Sequence, residues 1–162
     1  MDHRFKGHVH KFGDNINTDI ISPPAYLELS TKEAAKYTML PIAPEFSSKF
    51  KPGDIIVAGR NFGSGSSRET SVLTLRELGA KVIVAKNFAR IFFRNAINLG
   101  VLAVECAQTE KIEDGDEIEV DAMAGTIVNL SKGETYTASK LPDHIVKLVK
   151  TGGLVPLLEK GT

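Results

Sequence analysis

Three short apolar segments separated by two helix-length segments occupy the middle of the chain and restrict what it can become. Asp54-Ile55-Ile56-Val57-Ala58 reads as a buried strand, Gly59 to Ser66 as a glycine- and serine-rich loop, and about Ser67 to Leu78 as a helix with Gly79 at its end. Lys81 to Ala85 is a second apolar strand, Phe88 to Leu99 a second helix stopped by Gly100, and Val101 to Val104 a third strand. Alternation with such short joints argues for parallel pairing through right-handed crossovers, hence an α/β layer architecture.

The flanks add smaller pieces. Arg4 to Phe12 has a weak alternating pattern closed by Gly13-Asp14-Asn15, which reads as a strand, and Gly13 to Pro24 is so rich in Asn, Asp, Thr, Ser and Pro that it reads as a loop. Ser30 or Thr31 is placed to cap a helix running through Tyr37 and Leu40 to Pro41, and Pro44 starts a short turn through Phe50. After Cys106, Asp116 to Val120 and Thr126 to Leu130 alternate around a turn at Ala124-Gly125, with Glu134 to Ala138 as a further short strand, so a small antiparallel β annex is expected. Pro142 opens a last helix with Ile145, Val146, Leu148 and Val149 on one face, before Gly152-Gly153 and an apolar tail from Leu154 to Leu158. At 162 residues the whole, 1–162, is one domain.

Composition excludes several functions. Lys+Arg 20 against Asp+Glu 20 leaves no net field to draw the chain to nucleic acid or an anionic membrane. No apolar run approaches the ~18 residues of a membrane span, and the first residues lack the apolar core of a secretory signal, so a soluble cytoplasmic protein is expected. A single cysteine, Cys106, forms no intrachain disulfide and cannot by itself hold a four-cysteine zinc site or an iron–sulfur cluster; it reads as a small core residue. His8 and His10 share a strand face at a spacing that could bind metal, but no carboxylate or cysteine clusters with them or with His3, so no metal site is assigned.

The chemistry concentrates in Gly59-Arg60-Asn61-Phe62-Gly63-Ser64-Gly65-Ser66-Ser67-Arg68-Glu69. Between a strand and a helix, its backbone N–H groups and the helix dipole converge on one spot, which suits an anion. The plainer alternative is a strand–helix turn capped by Ser66 or Ser67, with Glu69 completing a capping box. The dinucleotide fingerprint fails because Arg68 stands where its third glycine belongs, and the Walker A and nucleophile-elbow patterns are absent. Two adjacent hydroxyls and a guanidinium at a helix start fit a carboxylate better than a bare phosphate, since Arg can hold a carboxylate through two parallel hydrogen bonds. Arg90 and Arg94, four apart on one helix face, are placed to reach the same site or a partner chain.

The run Asn61 to Glu69 closely resembles the Gly-Ser-Ser-Arg-Glu signature of the swivelling domain of the aconitase superfamily. Lys11 to Pro23 and Asn87 to Gly100 resemble its two other motifs, in the same order, so the likeness extends over nearly the whole chain. The length is that of the free-standing small subunits of 3-isopropylmalate dehydratase and its homoaconitase relatives. The resemblance implies β/β/α swivelling-domain layers, and docking on a large subunit that carries a [4Fe-4S] cluster. It also implies a dehydration and rehydration of a small branched hydroxy-dicarboxylic acid, with iron as the Lewis acid on the departing hydroxyl. It makes Ser66 the base, acting as an alkoxide stabilised by backbone N–H groups and Arg68, with Ser67 and Arg68 gripping substrate carboxylates and Asp19 a nearby acceptor. An Asx-turn acceptor is the alternative role for Asp19. The chain departs from the signature at Thr70-Ser71, where relatives commonly carry His-Ala.

The resemblance also makes the loop Tyr26, Leu27, Glu28 and Leu29 the reader of the substrate's side group. That loop offers two leucines and an acid but no cation, which favours an apolar substituent such as isopropyl over a third carboxylate. Inward packing of Leu27 and Leu29 for stability alone is the competing account. The expected function is therefore the small subunit of a hydro-lyase of the 3-isopropylmalate dehydratase type, with homoaconitase or a 2,3-dimethylmalate dehydratase as alternatives within the class. A stand-alone carboxylate- or phosphate-binding module is the alternative outside it.

Overall fold

The computed structural model describes residues 3–66 and 69–151. The expected tail, Leu154 to Leu158, and its preceding Gly152-Gly153 lie outside the described residues. The chain runs β1 (Phe5–Lys11), α1 (Thr18–Ile21), α2 (Thr31–Ala34), α3 (Phe46–Lys49), β2 (Ile55–Val57), α4 (Thr70–Glu77), β3 (Val82–Ala85), α5 (Arg90–Asn98), β4 (Leu102–Glu105), β5 (Glu117–Asp121), β6 (Thr126–Asn129), β7 (Glu134–Thr137) and α6 (Asp143–Thr151). The seven strands form one sheet in the order β4-β3-β2-β1-β5-β6-β7. Strands β1 to β4 pair in parallel and β1 pairs β5 antiparallel, so the expected antiparallel annex continues the main sheet across β1.

Strand order explains the layering. Because β2, β3 and β4 follow one another across the sheet, right-handed crossovers put α4 and α5 on the same face. There they cover Ile56, Ala58, Ile83, Ala85 and Ala103, together with Phe46, Phe50, Val72, Leu75 and Phe92. The opposite face, carrying Ile55, Val57, Val82, Val84, Leu102 and Val104, packs against Ile118, Val120, Ile127 and Tyr136 from the antiparallel half and Val146 and Val149 from α6. The sheet curls so that one half covers the other. Strands covered on both faces need apolar residues at every position, which is why β2 and β3 are continuous runs, whereas β5 alternates Ile118 and Val120 with Glu117, Glu119 and Asp121.

Four local expectations are corrected. The helix expected through Leu40 ends early: α2 gives way to a 3₁₀ turn at Ala35–Tyr37, Thr38 bonds back to the Ala35 carbonyl, and Met39 takes φ +63° with its N–H on the Ile21 carbonyl. The segment expected to be all loop contains α1, nucleated by Asn17, whose Oδ1 accepts from the Ile20 N–H at 2.9 Å. The helix expected from about Ser67 is assigned from Thr70, with Glu69 at the N-cap and making no side-chain cap hydrogen bond. The His8/His10 pair also divides. His8 is exposed, whereas His10 bonds Asp54 at 2.8 Å and lies against Phe46 and Phe50.

The antiparallel half buries a polar chain. Asn129, fully buried, donates to Asp116 Oδ2 at 2.9 Å, and the Tyr136 hydroxyl donates to Glu134 at 2.7 Å. Burial opposes ionisation of Asp116, yet the Glu113 N–H, Asn129, Lys132 and Lys11 together hold its carboxyl below the usual range. Burial and the bond to Glu134 push the Tyr136 phenol up to about 12. With the folded value above the ordinary 10, the folded state keeps its proton where the unfolded chain releases it; this stability is complete below pH 10 and is lost as pH rises to about 12. Chemical denaturation at stepped pH should therefore show wild type losing stability relative to Tyr136→Phe across that window. Parallel curves would contradict the assignment.

Candidate active site

Three loops meet at the carboxyl ends of the parallel strands. The loop after β1 and the loop after β2 are joined by backbone bonds: Gly59 N–H to Gly13 O (3.0 Å), Asn15 N–H to Arg60 O (2.8 Å), Gly63 N–H to Ile16 O (2.7 Å) and Thr18 N–H to Ser64 O (2.8 Å). Side chains add two more, Arg60 N–H to Asp14 Oδ1 (2.7 Å) and Asn61 Nδ2 to Asn15 Oδ1 (3.1 Å). The loop after β3 joins from the other side: Lys86 N–H donates to Gly59 O, Ala89 N–H to Phe62 O, and Asn61 N–H to Asn87 Oδ1 at 2.6 Å. The three motifs, far apart in sequence, thus form one assembly in the place where parallel sheets present their ligand sites.

The central loop needs its glycines. Gly63 has φ +83°, and a Cβ there would lie 2.2 Å from Phe92 Cγ; Gly65 has φ +101° and passes over Thr18, whose Oγ1 would be 3.2 Å from an added Cβ. Phe62 is wholly buried and meets Phe88 and Phe92 edge to face, anchoring the loop from below. Ser66 is exposed, four residues before the start of α4. Ser67 and Arg68 lie outside the described residues. Asp19, in the first turn of α1, is exposed and reaches the same assembly through the Thr18–Ser64 bond. Asn17 fills the Asx-type capping role that was the alternative for Asp19.

The loop Tyr26 to Leu29 splits between the two accounts given for it. Leu27 and Tyr26 are half-buried and, with Ser22, Pro23, Ala34 and Thr70, line a tight crevice. Leu29 is 44% exposed and Glu28 is exposed, so inward packing does not account for the whole loop. Thr70 brings this loop to the start of α4, four residues beyond Ser66, and Ser71 is fully buried with its hydroxyl unpartnered among the described residues. The Thr18 hydroxyl is likewise buried and unpartnered among them, beneath Gly65. Thr18 and Asn87 lie within the motif segments but were given no role of their own, and Thr70 was noted only as a departure from the signature; the density of Asn and Thr in the motif loops was the available signal. Arg90 and Arg94 are exposed, and Cys106 is a core residue whose thiol burial pushes up.

An exposed serine thus sits on a glycine-shaped turn, framed by two other motif loops at the strand ends of a curled sheet. The chain belongs to the aconitase C-terminal domain family, whose model matches residues 2–109. It is 49% identical over 156 residues to a 3-isopropylmalate dehydratase small subunit of Methanosarcina acetivorans, covering 96% of each chain. It is 47% identical over 157 residues to an isopropylmalate/citramalate isomerase small subunit of Methanocaldococcus jannaschii, covering 96% of this chain and 94% of that one. A crystal structure of 3-isopropylmalate dehydratase from Methanocaldococcus jannaschii superposes with TM-score 0.88 at 42% identity, covering 98% of this chain and 95% of that one.

Proposed function

We propose that the chain is the small subunit of a 3-isopropylmalate dehydratase, which interconverts 2- and 3-isopropylmalate by dehydration and rehydration together with a large subunit. The observation that carries the proposal is the assembly of all three motif loops around exposed Ser66, in a chain similar along nearly its full length to subunits of that name. Ser66 is the base that removes the proton from the carbon beside the departing hydroxyl. Its alkoxide is supported by the N–H groups around it and by Arg68, and Ser67 and Arg68 hold the substrate carboxylates. Asp19 accepts a hydrogen bond at the edge of the site. Leu27 and Leu29 face the apolar side group, and Glu28 repels a further carboxylate.

An iron–sulfur cluster belongs to the large subunit in this proposal. The described residues of this chain include no group of three His, Cys, Asp or Glu side chains that could hold a metal ion, and Cys106 is 2% exposed within the core. Among the described residues no helix is long and apolar enough to cross a membrane.

The test is reconstitution. Alone, the chain should convert 2-isopropylmalate negligibly, and adding the iron–sulfur large subunit should raise conversion at least about 100-fold, followed by chromatographic separation of the two acids. Tight binding of a dicarboxylate by the chain alone, with an inactive pair, would favour a stand-alone binding module.

A further inference from the structure

The segment from Pro23 to Leu29 is held to the domain by little besides side chains. Among the described residues its backbone hydrogen bonds are all local: Tyr26 N–H to Pro23 O, Leu27 N–H to Pro24 O and Leu29 N–H to Tyr26 O. Glu28 and Leu29 are exposed, and Leu27 lines the same crevice as Thr70. A ring contact adds to this. The rings of Tyr26 and Tyr37 are stacked, with centroids 3.9 Å apart and planes 6° from parallel.

Tyr37 is fixed where it stands. It closes the 3₁₀ turn Ala35–Tyr37, and the carbonyl before it, Lys36 O, accepts from Ser47 Oγ at 2.7 Å. Thr38 is buried and bonded to Ala35 O, and the buried Met39 bonds Ile21 O, which ties the turn to α1 and so to the motif loops. The early end of α2, forced by Thr38 and Met39, is what leaves the Tyr37 ring free to lie on Tyr26. A rigid platform therefore carries a ring against which an otherwise locally bonded loop is registered. Aromatic pairs of this kind add stabilisation beyond the area they bury.

We infer that Tyr37, by stacking on Tyr26, is a positioning residue that sets where Leu27 stands and thereby which side group the enzyme accepts. The inference rests on the proposed function, since it presupposes that the Tyr26–Leu29 loop faces the substrate's side group. Tyr37 touches no substrate; it acts by fixing the loop. The phenol oxygen is not needed for that, only the ring face.

The experiment uses the small subunit reconstituted with its large subunit and compares 2-isopropylmalate with citramalate, which carries methyl in place of isopropyl. Tyr37→Ala should lower the isopropyl-to-methyl ratio of kcat/KM by about fivefold or more, in the range that a few methylenes of pocket contact control. The loss should fall on KM for isopropylmalate, with kcat for citramalate unchanged. Tyr37→Phe, which keeps the stack, should hold the ratio within about twofold. An unchanged ratio in Tyr37→Ala, or an equal loss on both acids, overturns the inference. Leu27→Ala separates the two levels: if it lowers the ratio while Tyr37→Ala does not, the loop reads the substituent without help from Tyr37. If the wild-type pair turns over neither acid, the proposed function falls and the inference falls with it.

Discussion

Replacing Ser66 with alanine in the reconstituted enzyme should lower turnover roughly 10²- to 10⁴-fold, about 3–5 kcal/mol of transition-state stabilisation, which is what a positioned proton-transfer group contributes. The side chain is exposed and sits on a loop whose shape is set by Gly63, Gly65 and the wholly buried Phe62. Removing one exposed hydroxyl leaves those supports intact, so stability should stay within about 0.5 kcal/mol of wild type. Assembly with the large subunit should be unaffected, which gel filtration of the mixed subunits checks. Because the proposed role of Ser66 lies in the chemical step, the loss should appear in kcat with KM little changed. Near-normal turnover would remove Ser66 from the mechanism.

The second large effect is on stability. Gly63 adopts φ +83°, and a Cβ there would lie 2.2 Å from Phe92 Cγ and 2.4 Å from Phe92 Cβ. Gly63→Ala combines about 1–2 kcal/mol for a left-handed backbone with about 1–3 kcal/mol for overpacking, so a loss of about 2–5 kcal/mol is expected. For a domain of this size that corresponds to a melting temperature lower by roughly 6–15 °C. Phe92 cannot yield easily, being 3% exposed and held by Phe62 and Phe88. The Gly63 N–H also bonds Ile16 O at 2.7 Å, so the strain passes into the loop beside Asp19 and turnover should fall as well. A melting temperature within a degree or two of wild type would show that the loop can shift, and the tight fit would then not be what fixes it.

The sequence was most legible where packing leaves no choice. Strands β2 and β3 are apolar throughout, and β4 up to Glu105, because both faces are covered, and each was readable to within a residue or two at its ends. The helices α4 and α5 followed from the same alternation, and the three motif loops pointed to a common site. What remained hidden was set by contacts across the fold. Nothing local announces that Met39 will take φ +63° to reach Ile21, so α2 looked longer than it is. Nothing in the spacing of His8 and His10 tells that only the second meets Asp54, because that partner lies on another strand's approach. The antiparallel strands were recognised from their alternation, but their continuity with the parallel half depends on β1, which carries no mark of being shared.

That shared strand has a consequence for how the molecule comes into being. β1 is bonded to β2 on one edge, with Val9 opposite Ile55, and to β5 on the other, with Phe5 opposite Val120. β1 thus has one of its two neighbours more than a hundred residues downstream, and must wait with an open edge until that neighbour is made. Neither half of the sheet is a separable folding unit, since each borrows the same strand, and a protein cut between β4 and β5 would yield two incomplete pieces. Folding of this chain should accordingly be all-or-none and comparatively slow, governed by the closure of its longest loop.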